Sequence, residues 1–299
     1  MDRDLAALQS AKTVTIATLA PPVTVPGTVT GCGDGGVAAI RPECQGPHGI
    51  IDGMESVGDE VEVVVAHHER AAVRVGDVFL KIDGHAPNLD VEVEAMRLAP
   101  VPTPEILWRR PQVLALARVP GEPIARLGKP SVASRTAWTA AGAAVRALHD
   151  APLPPWPGKS VEEFTDHLNS ECEWLVANDA VPADVVRHSR NVGARALRPW
   201  TPVFTHGDLQ VAHVFMRDDE VTGIIDWSEA AQGDGLYDLA ILTLGHPEHL
   251  DDVLAGYGGD VDRDVIEAWW SIRGLLAVRW LVDHGFDPAP EIAVLEARL

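Results

Sequence analysis

From Glu60 onward, apolar and polar positions alternate in short valine-rich runs: Val61 to Val65, Ala71 to Val75, and Val78 to Ile82. A period of two with β-branched residues predicts three antiparallel strands. The period then changes. Between Asp90 and Ala99, Val91, Ala95 and Leu98 are spaced for one apolar helix face, and Pro100, Pro102 and Pro104 end the helix. Glu105 to Trp108 and Val113 to Arg118 predict two further strands, and Val119-Pro120-Gly121 breaks the pattern.

Beyond that break the pattern is mostly helical. Ser131 to His149 is alanine-rich, with Ser131 or Ser134 as its cap, and Pro152 to Pro157 forms a stiff connector. Ser160 opens the next helix, where Glu162 and Glu163 suit the positive helix end. Further helices are predicted over Pro182 to Leu197, Leu236 to Leu244, His249 to Tyr257 and Asp262 to His284. Trp269, Trp270 and Trp280 on the last of these read as core, and His246-Pro247-Glu248-His249 reads as a surface turn.

Residues 1–55 hold many Gly, Pro and Thr without a sustained period, and read as loop, extended or disordered chain. The chain therefore divides into a leader (1–55), a small strand-rich unit (56–118) and a mainly helical unit (119–299). Removing residues 1–53 is expected to leave folding and activity intact. No run of about 18 apolar residues suggests a membrane span. The first residues lack a secretory signal pattern, and Cys32, Cys44 and Cys172 form neither a metal-ligand spacing nor a disulfide framework. A cytoplasmic location is expected.

Charge sharpens this picture. Residues 1–149 carry 17 acidic and 14 basic side chains, a net of −3; residues 150–299 carry 27 and 10, a net of −17; together they give −20. Such acidity argues against nucleic-acid binding, which needs Lys and Arg against phosphates. It would draw a cationic small molecule into a cleft, and it would also serve solubility alone.

The chemistry concentrates in two places. Thr205-His206-Gly207-Asp208-Leu209-Gln210-Val211-Ala212-His213 is followed by Gly223-Ile224-Ile225-Asp226-Trp227. Two aspartates, each beside a strand-like run, are the pair that phosphoryl transfer requires: one to orient the attacking hydroxyl, one to hold a metal against nucleotide phosphates. This pattern resembles the catalytic signature of the aminoglycoside phosphotransferase family, a branch of the protein-kinase-like fold.

The resemblance implies an α+β, bilobal, protein-kinase-like architecture with an antiparallel-sheet amino-terminal lobe and a mainly helical carboxy-terminal lobe. By it, Asp208 is the catalytic residue and Asp226 a Mg²⁺ ligand. His213 stands at the second metal position, where the family has Asn, and an imidazole suits transition metals better than Mg²⁺. Lys81 would contact phosphates, with Glu94 as its helix partner, since Glu92 would point to another face. Val119 would lie at the nucleotide-binding hinge. His68 or Arg70 would stand in for the glycine amides that the family's phosphate-covering loop often has. His206 would brace the catalytic loop, and Asp234 and Asp238 would cap the following helix and hold that loop.

The expected activity is ATP-dependent phosphorylation of a small-molecule hydroxyl, with GTP not excluded, on an aminoglycoside-like or other cationic antibiotic. Candidate substrate carboxylates are Glu229, Asp166 and Glu171, with Glu163, Glu173, Asp283 and Asp287 behind them. A non-catalytic nucleotide-binding module and a metabolic kinase for a sugar or amino alcohol are the alternatives. No membrane partner is expected, and the chain would be a monomer or homodimer.

Overall fold

The computed structural model describes residues 14–15, 60–67 and 70–299. The amino-terminal sheet contains β1 (Val14–Thr15), β2 (Glu60–His67), β3 (Arg70–Val75), β4 (Val78–Asp83), β5 (Ile106–Arg110) and β6 (Val113–Ala117). Their order is β1-β2-β3-β4-β6-β5, with every neighbouring pair antiparallel. Apart from Val14–Thr15 and Glu60, the leader expected over 1–55 and the junction after it lie outside the described residues.

The helix α1 (Ala86–Leu98) crosses from β4 to β5. It starts before the expected Asp90 because Pro87 fits the first turn and Asp83 organises that turn. The buried Asp83 carboxylate accepts from the His85 amide at 2.7 Å and from Asn88 Nδ2 at 3.1 Å, and pairs with Arg70 Nε at 2.9 Å. Leu89, Val93 and Met96 form the buried face of α1.

A tight corner links the two lobes. Val119 is buried, and Gly121 turns at φ 95° where a side chain would meet the Met216 carbonyl oxygen at 2.2 Å. The chain then forms the short β7 (Glu122–Pro123), which joins β9 (Val214–Arg217) and β10 (Glu220–Ile224) in a sheet of order β10-β9-β7.

Helices make most of the remainder: α2 (Arg135–His149), α3 (Val161–Ala177), α4 (Ala183–Gly193), α5 (Gly235–Thr243), α6 (Leu250–Tyr257), α7 (Arg263–Asp283) and α8 (Ala289–Glu296). Ser134 caps α2, accepting from the Ala137 amide at 3.1 Å, and Ser160 with Glu163 forms a reciprocal capping box on α3. β8 (Val203–Thr205) and β11 (Ala231–Gly233) pair antiparallel and bracket the region between them. Glycines let α2 and α6 pack backbone to backbone: a side chain at Gly142 would meet the Val253 carbonyl oxygen at 2.0 Å, and one at Gly256 that of Thr139 at 1.8 Å. Trp138, Trp227, Trp269 and Phe204 fill the core. Trp270 is buried as expected, but Trp280, on the same helix, is 46% exposed. His246, expected on the surface, is buried beside Trp138 with ring centroids 5.5 Å apart.

Candidate active site

β8 leads into His206-Gly207-Asp208, and this loop is pinned from beneath. The amides of His206 and Gly207 donate to the fully buried Asp238 carboxylate at 2.7 and 2.9 Å, and His149 Nε2 reaches it at 3.1 Å. Asp234 caps α5 and receives Arg198 at 2.8 Å and Trp269 Nε1 at 2.9 Å. His206 is wholly buried. Its Nε2 faces the Ile225 carbonyl at 3.0 Å, which can only accept, so Nε2 carries the proton and Nδ1 accepts the Asp208 amide at 3.3 Å. Burial holds this imidazole below its ordinary pKa, so the neutral ring that fits both bonds is the stable one. Gly207 turns at φ 84° directly against Glu229, whose carbonyl oxygen lies 2.2 Å from where a Cβ would be. Only glycine takes this corner.

Asp208 emerges from the loop with its carboxylate held by two donors. Gln210 Nε2 bonds both oxygens, Oδ1 at 2.9 Å and Oδ2 at 2.7 Å, and Arg273 Nη2 of α7 bonds Oδ1 at 2.7 Å. A single helical turn, Val211–His213, carries His213 back toward this group. His213 Nδ1 meets the Asp208 carbonyl at 2.8 Å and therefore carries a proton, which leaves Nε2 as the lone pair of the neutral ring. The imidazole lies between the two aspartates: Nδ1 is 4.0 Å from Asp208 Oδ2, and Nε2 is 3.8 Å from Asp226 Oδ2.

Asp226 leaves β10 in the left-handed region, φ 67° and ψ 63°. Its Oδ1 accepts from Lys81 Nζ at 2.7 Å and from Ser228 Oγ at 3.3 Å. Burial opposes its ionisation, yet the Lys81 ammonium, by charge and by hydrogen bond, outweighs that and holds the carboxyl well below the usual carboxylate range. Lys81 lies on β4, locked between β3 and β6, and also bonds Glu92 Oε1 at 2.7 Å. Burial would lower the Lys81 pKa, but its two carboxylate partners raise it above the ordinary value. Burial pushes Glu92 up despite Lys81.

The expected Lys81 partner, Glu94, is thus corrected to Glu92. On an α-helix two positions turn by about 200°. Glu92 shares the buried face with Leu89 and Met96, whereas Glu94 faces solvent and pairs with Arg97 at 3.6 Å. Several other expectations shift as well. Glu171 is committed to Arg279 Nε at 3.1 Å across the α3–α7 contact. Glu163 caps α3, Asp283 pairs with Arg279, and Asp287 bonds the Ala289 amide at 3.0 Å. Arg70 is engaged by Asp83, and His68 lies outside the described residues. Asp166 and Glu173 are exposed on α3, and Glu229 is exposed beside the catalytic loop. Val119 packs under the interlobe corner, against Gly223.

Lys81, Asp208, His213 and Asp226 thus surround one space, and Asp226 Oδ2 with His213 Nε2 offers an oxygen and a nitrogen to a cation. Among the described residues no cluster of three or more His, Cys, Asp or Glu could hold a metal. A cation at this pair would need further oxygens, as from phosphates.

The profile described as a phosphotransferase enzyme family matches residues 68–270. The chain belongs to this family. Viomycin phosphotransferase of Streptomyces vinaceus is 28% identical over 183 residues, covering 56% of this chain and 62% of that protein. Streptomycin 3''-kinase of Streptomyces griseus is 29% identical over 228 residues, covering 66% and 81%. The same fold occurs in the GDP complex of wild-type aminoglycoside 2'-phosphotransferase-IIIa (TM-score 0.63, 18% identity, 79% of this chain and 91% of that one). It also occurs in macrolide 2'-phosphotransferase type I (TM-score 0.58, 21% identity, 80% and 90%). The architecture is therefore the α+β bilobal, kinase-like one.

Within this phosphotransferase, sequence reasoning missed Gln210 and Arg273. Gln210 sits inside the motif but carries no titratable chemistry. Arg273 lies 65 residues from Asp208, and no spacing rule connects them.

Proposed function

We propose that this phosphotransferase moves the terminal phosphoryl group of ATP, with GTP as the alternative donor, onto a hydroxyl of a small cationic molecule of the antibiotic class. The observation that carries this reading is the single imidazole of His213 flanked by Asp208 and Asp226, with Lys81 on the far side of Asp226. Asp208 orients the acceptor hydroxyl and receives its proton as the bond to phosphorus forms. In a loose transition state that orientation supplies most of the rate. Lys81, released from Asp226 by an incoming anion, offers its ammonium to the donor phosphates while Glu92 keeps it in place. Val119 and the corner that follows form the wall for the base.

The donor set fits a divalent cation, because an ionised carboxylate and a neutral imidazole lone pair face one another 3.8 Å apart. Two bonds of about 2.1 Å span at most about 4.2 Å. When bound, such a cation would neutralise the charge on the transferred group. The names of the relatives, viomycin and streptomycin kinases, and the acidity of residues 150–299 support a cationic acceptor.

Turnover with streptomycin, viomycin and kanamycin, each with ATP or GTP and Mg²⁺ or Mn²⁺, tests the reading. Metal-dependent transfer to one acceptor is expected, falling at least about 10²-fold in Asp208→Asn. Nucleotide binding without transfer to any acceptor or to water would instead make this chain a binding module.

A further inference from the structure

Arg273 reaches the centre of the site from an element that the two-aspartate motif does not include. It is carried on α7 between Ile272 and Gly274, both buried, so the helix has no freedom to rotate it away. Its guanidinium Nη2 lies 2.7 Å from Asp208 Oδ1, and its side chain is 26% exposed, so it lines the cleft rather than the core. The two oxygens of Asp208 are unequal. Oδ1 receives both Gln210 and Arg273, whereas Oδ2 receives Gln210 alone and faces His213 Nδ1 at 4.0 Å. A carboxylate oxygen can accept about two hydrogen bonds, so Oδ1 is filled and Oδ2 retains capacity.

The geometry points to Arg273 as a positioning residue for phosphoryl transfer: its guanidinium fixes the Asp208 carboxylate so that Oδ2 is the oxygen presented to the acceptor hydroxyl. The charge-assisted bond from Arg273 is stronger than the neutral amide's and falls on Oδ1 alone, so it decides which oxygen is held and which is left free. The same charge bears on the acceptor. A second cation cannot approach Asp208 closely without meeting Arg273, so the ammonium groups of a cationic acceptor must lie away from the reacting hydroxyl, toward the rim where Glu229 is exposed. This inference rests on the function proposed above.

The test compares Arg273→Met, Arg273→Lys and Asp208→Asn with the full-length wild-type protein, and uses Arg279→Met as a control from the same helix. Rates are measured with Mg²⁺ and ATP or GTP, using streptomycin, viomycin or kanamycin as acceptor, and water where no alcohol reacts. In Arg273→Met, kcat is expected to fall about 10²-fold with the KM for nucleotide unchanged. Arg273→Lys should recover part of the rate, added methylguanidine should restore part of it to Arg273→Met, and Arg279→Met should match wild type. A folded Arg273→Met protein with wild-type kcat overturns the proposal. So does a loss that follows the fall in Tm and responds neither to lysine nor to methylguanidine. If Asp208→Asn is inactive while Arg273→Met is not, only this proposal fails. If Asp208→Asn keeps its rate, the functional reading fails with it.

Discussion

Asp226 combines two unfavourable states in one residue. Its backbone is left-handed at φ 67°, which costs a non-glycine residue of order 1 kcal/mol, and its carboxylate is charged while partly buried. Lys81 offsets the second cost, so the pair is stabilising only while Asp226 is ionised. Because the Asp226 pKa is depressed on folding, its contribution is present above the ordinary carboxylate range and lost as pH falls below it. Wild type should therefore exceed Lys81→Met in Tm most near pH 7, with the gap narrowing toward pH 3. A gap constant with pH would show that Lys81 acts on stability by packing alone. Glu92, whose pKa is raised, works the other way, so Glu92→Gln should cost less stability than Lys81→Met. His213→Asn replaces a nitrogen donor by an amide oxygen. The variant should bind Mg²⁺ more tightly and Zn²⁺ more weakly than wild type, read by calorimetry with a non-hydrolysable ATP analogue. An unchanged metal preference would place His213 outside the coordination sphere. At this scale Asp208, Asp226, His213 and Lys81 were legible because each lies inside a short local pattern. Glu92 and Arg273 were not, because helix rotation decides the first and a long-range approach the second.

The elements that carry these residues are held by close backbone contacts that tolerate no added atom. At Gly256 even a methyl group would fall 1.8 Å from the Thr139 carbonyl oxygen, so Gly256→Ala should force α2 and α6 apart. The expected cost is about 1–3 kcal/mol, seen as a lowered urea midpoint. An unchanged midpoint would mean that the contact is already loose. Strands β2 to β6 and helices α2 to α7 could be read from period, caps and proline breaks. The helix α8 could not, because only Leu295 of it is deeply buried and its amphipathic signal is weak. β8 and β11 escaped for a related reason: three residues each are too few for a period, and pairing across 26 positions creates them. The start of α1 was misplaced because Asp83, before the helix, supplies bonds that sequence spacing does not display.

For the molecule as a whole, the division into a sheet lobe and a helical lobe follows from the order of elements, and the site lies where Lys81 of one meets Asp226 of the other. No helix among the described residues is long and apolar enough to cross a membrane. Residues 150–299 carry a net charge of −17. If that field draws in a cation, raising ionic strength from about 0.05 to about 0.5 M should raise the acceptor KM severalfold and leave kcat in place. A salt-independent KM would favour a neutral sugar or amino alcohol as acceptor. Asp208 and Asp226 are proposed to converge on the terminal phosphate of one nucleotide. A crystal structure with Mn²⁺ and a non-hydrolysable ATP analogue tests it most directly. The metal is expected on Asp226, the terminal phosphate between it and Asp208 Oδ2, and Lys81 turned from Asp226 to the inner phosphates. A nucleotide bound elsewhere, or a Lys81–Asp226 pair left intact beside it, would contradict the claim.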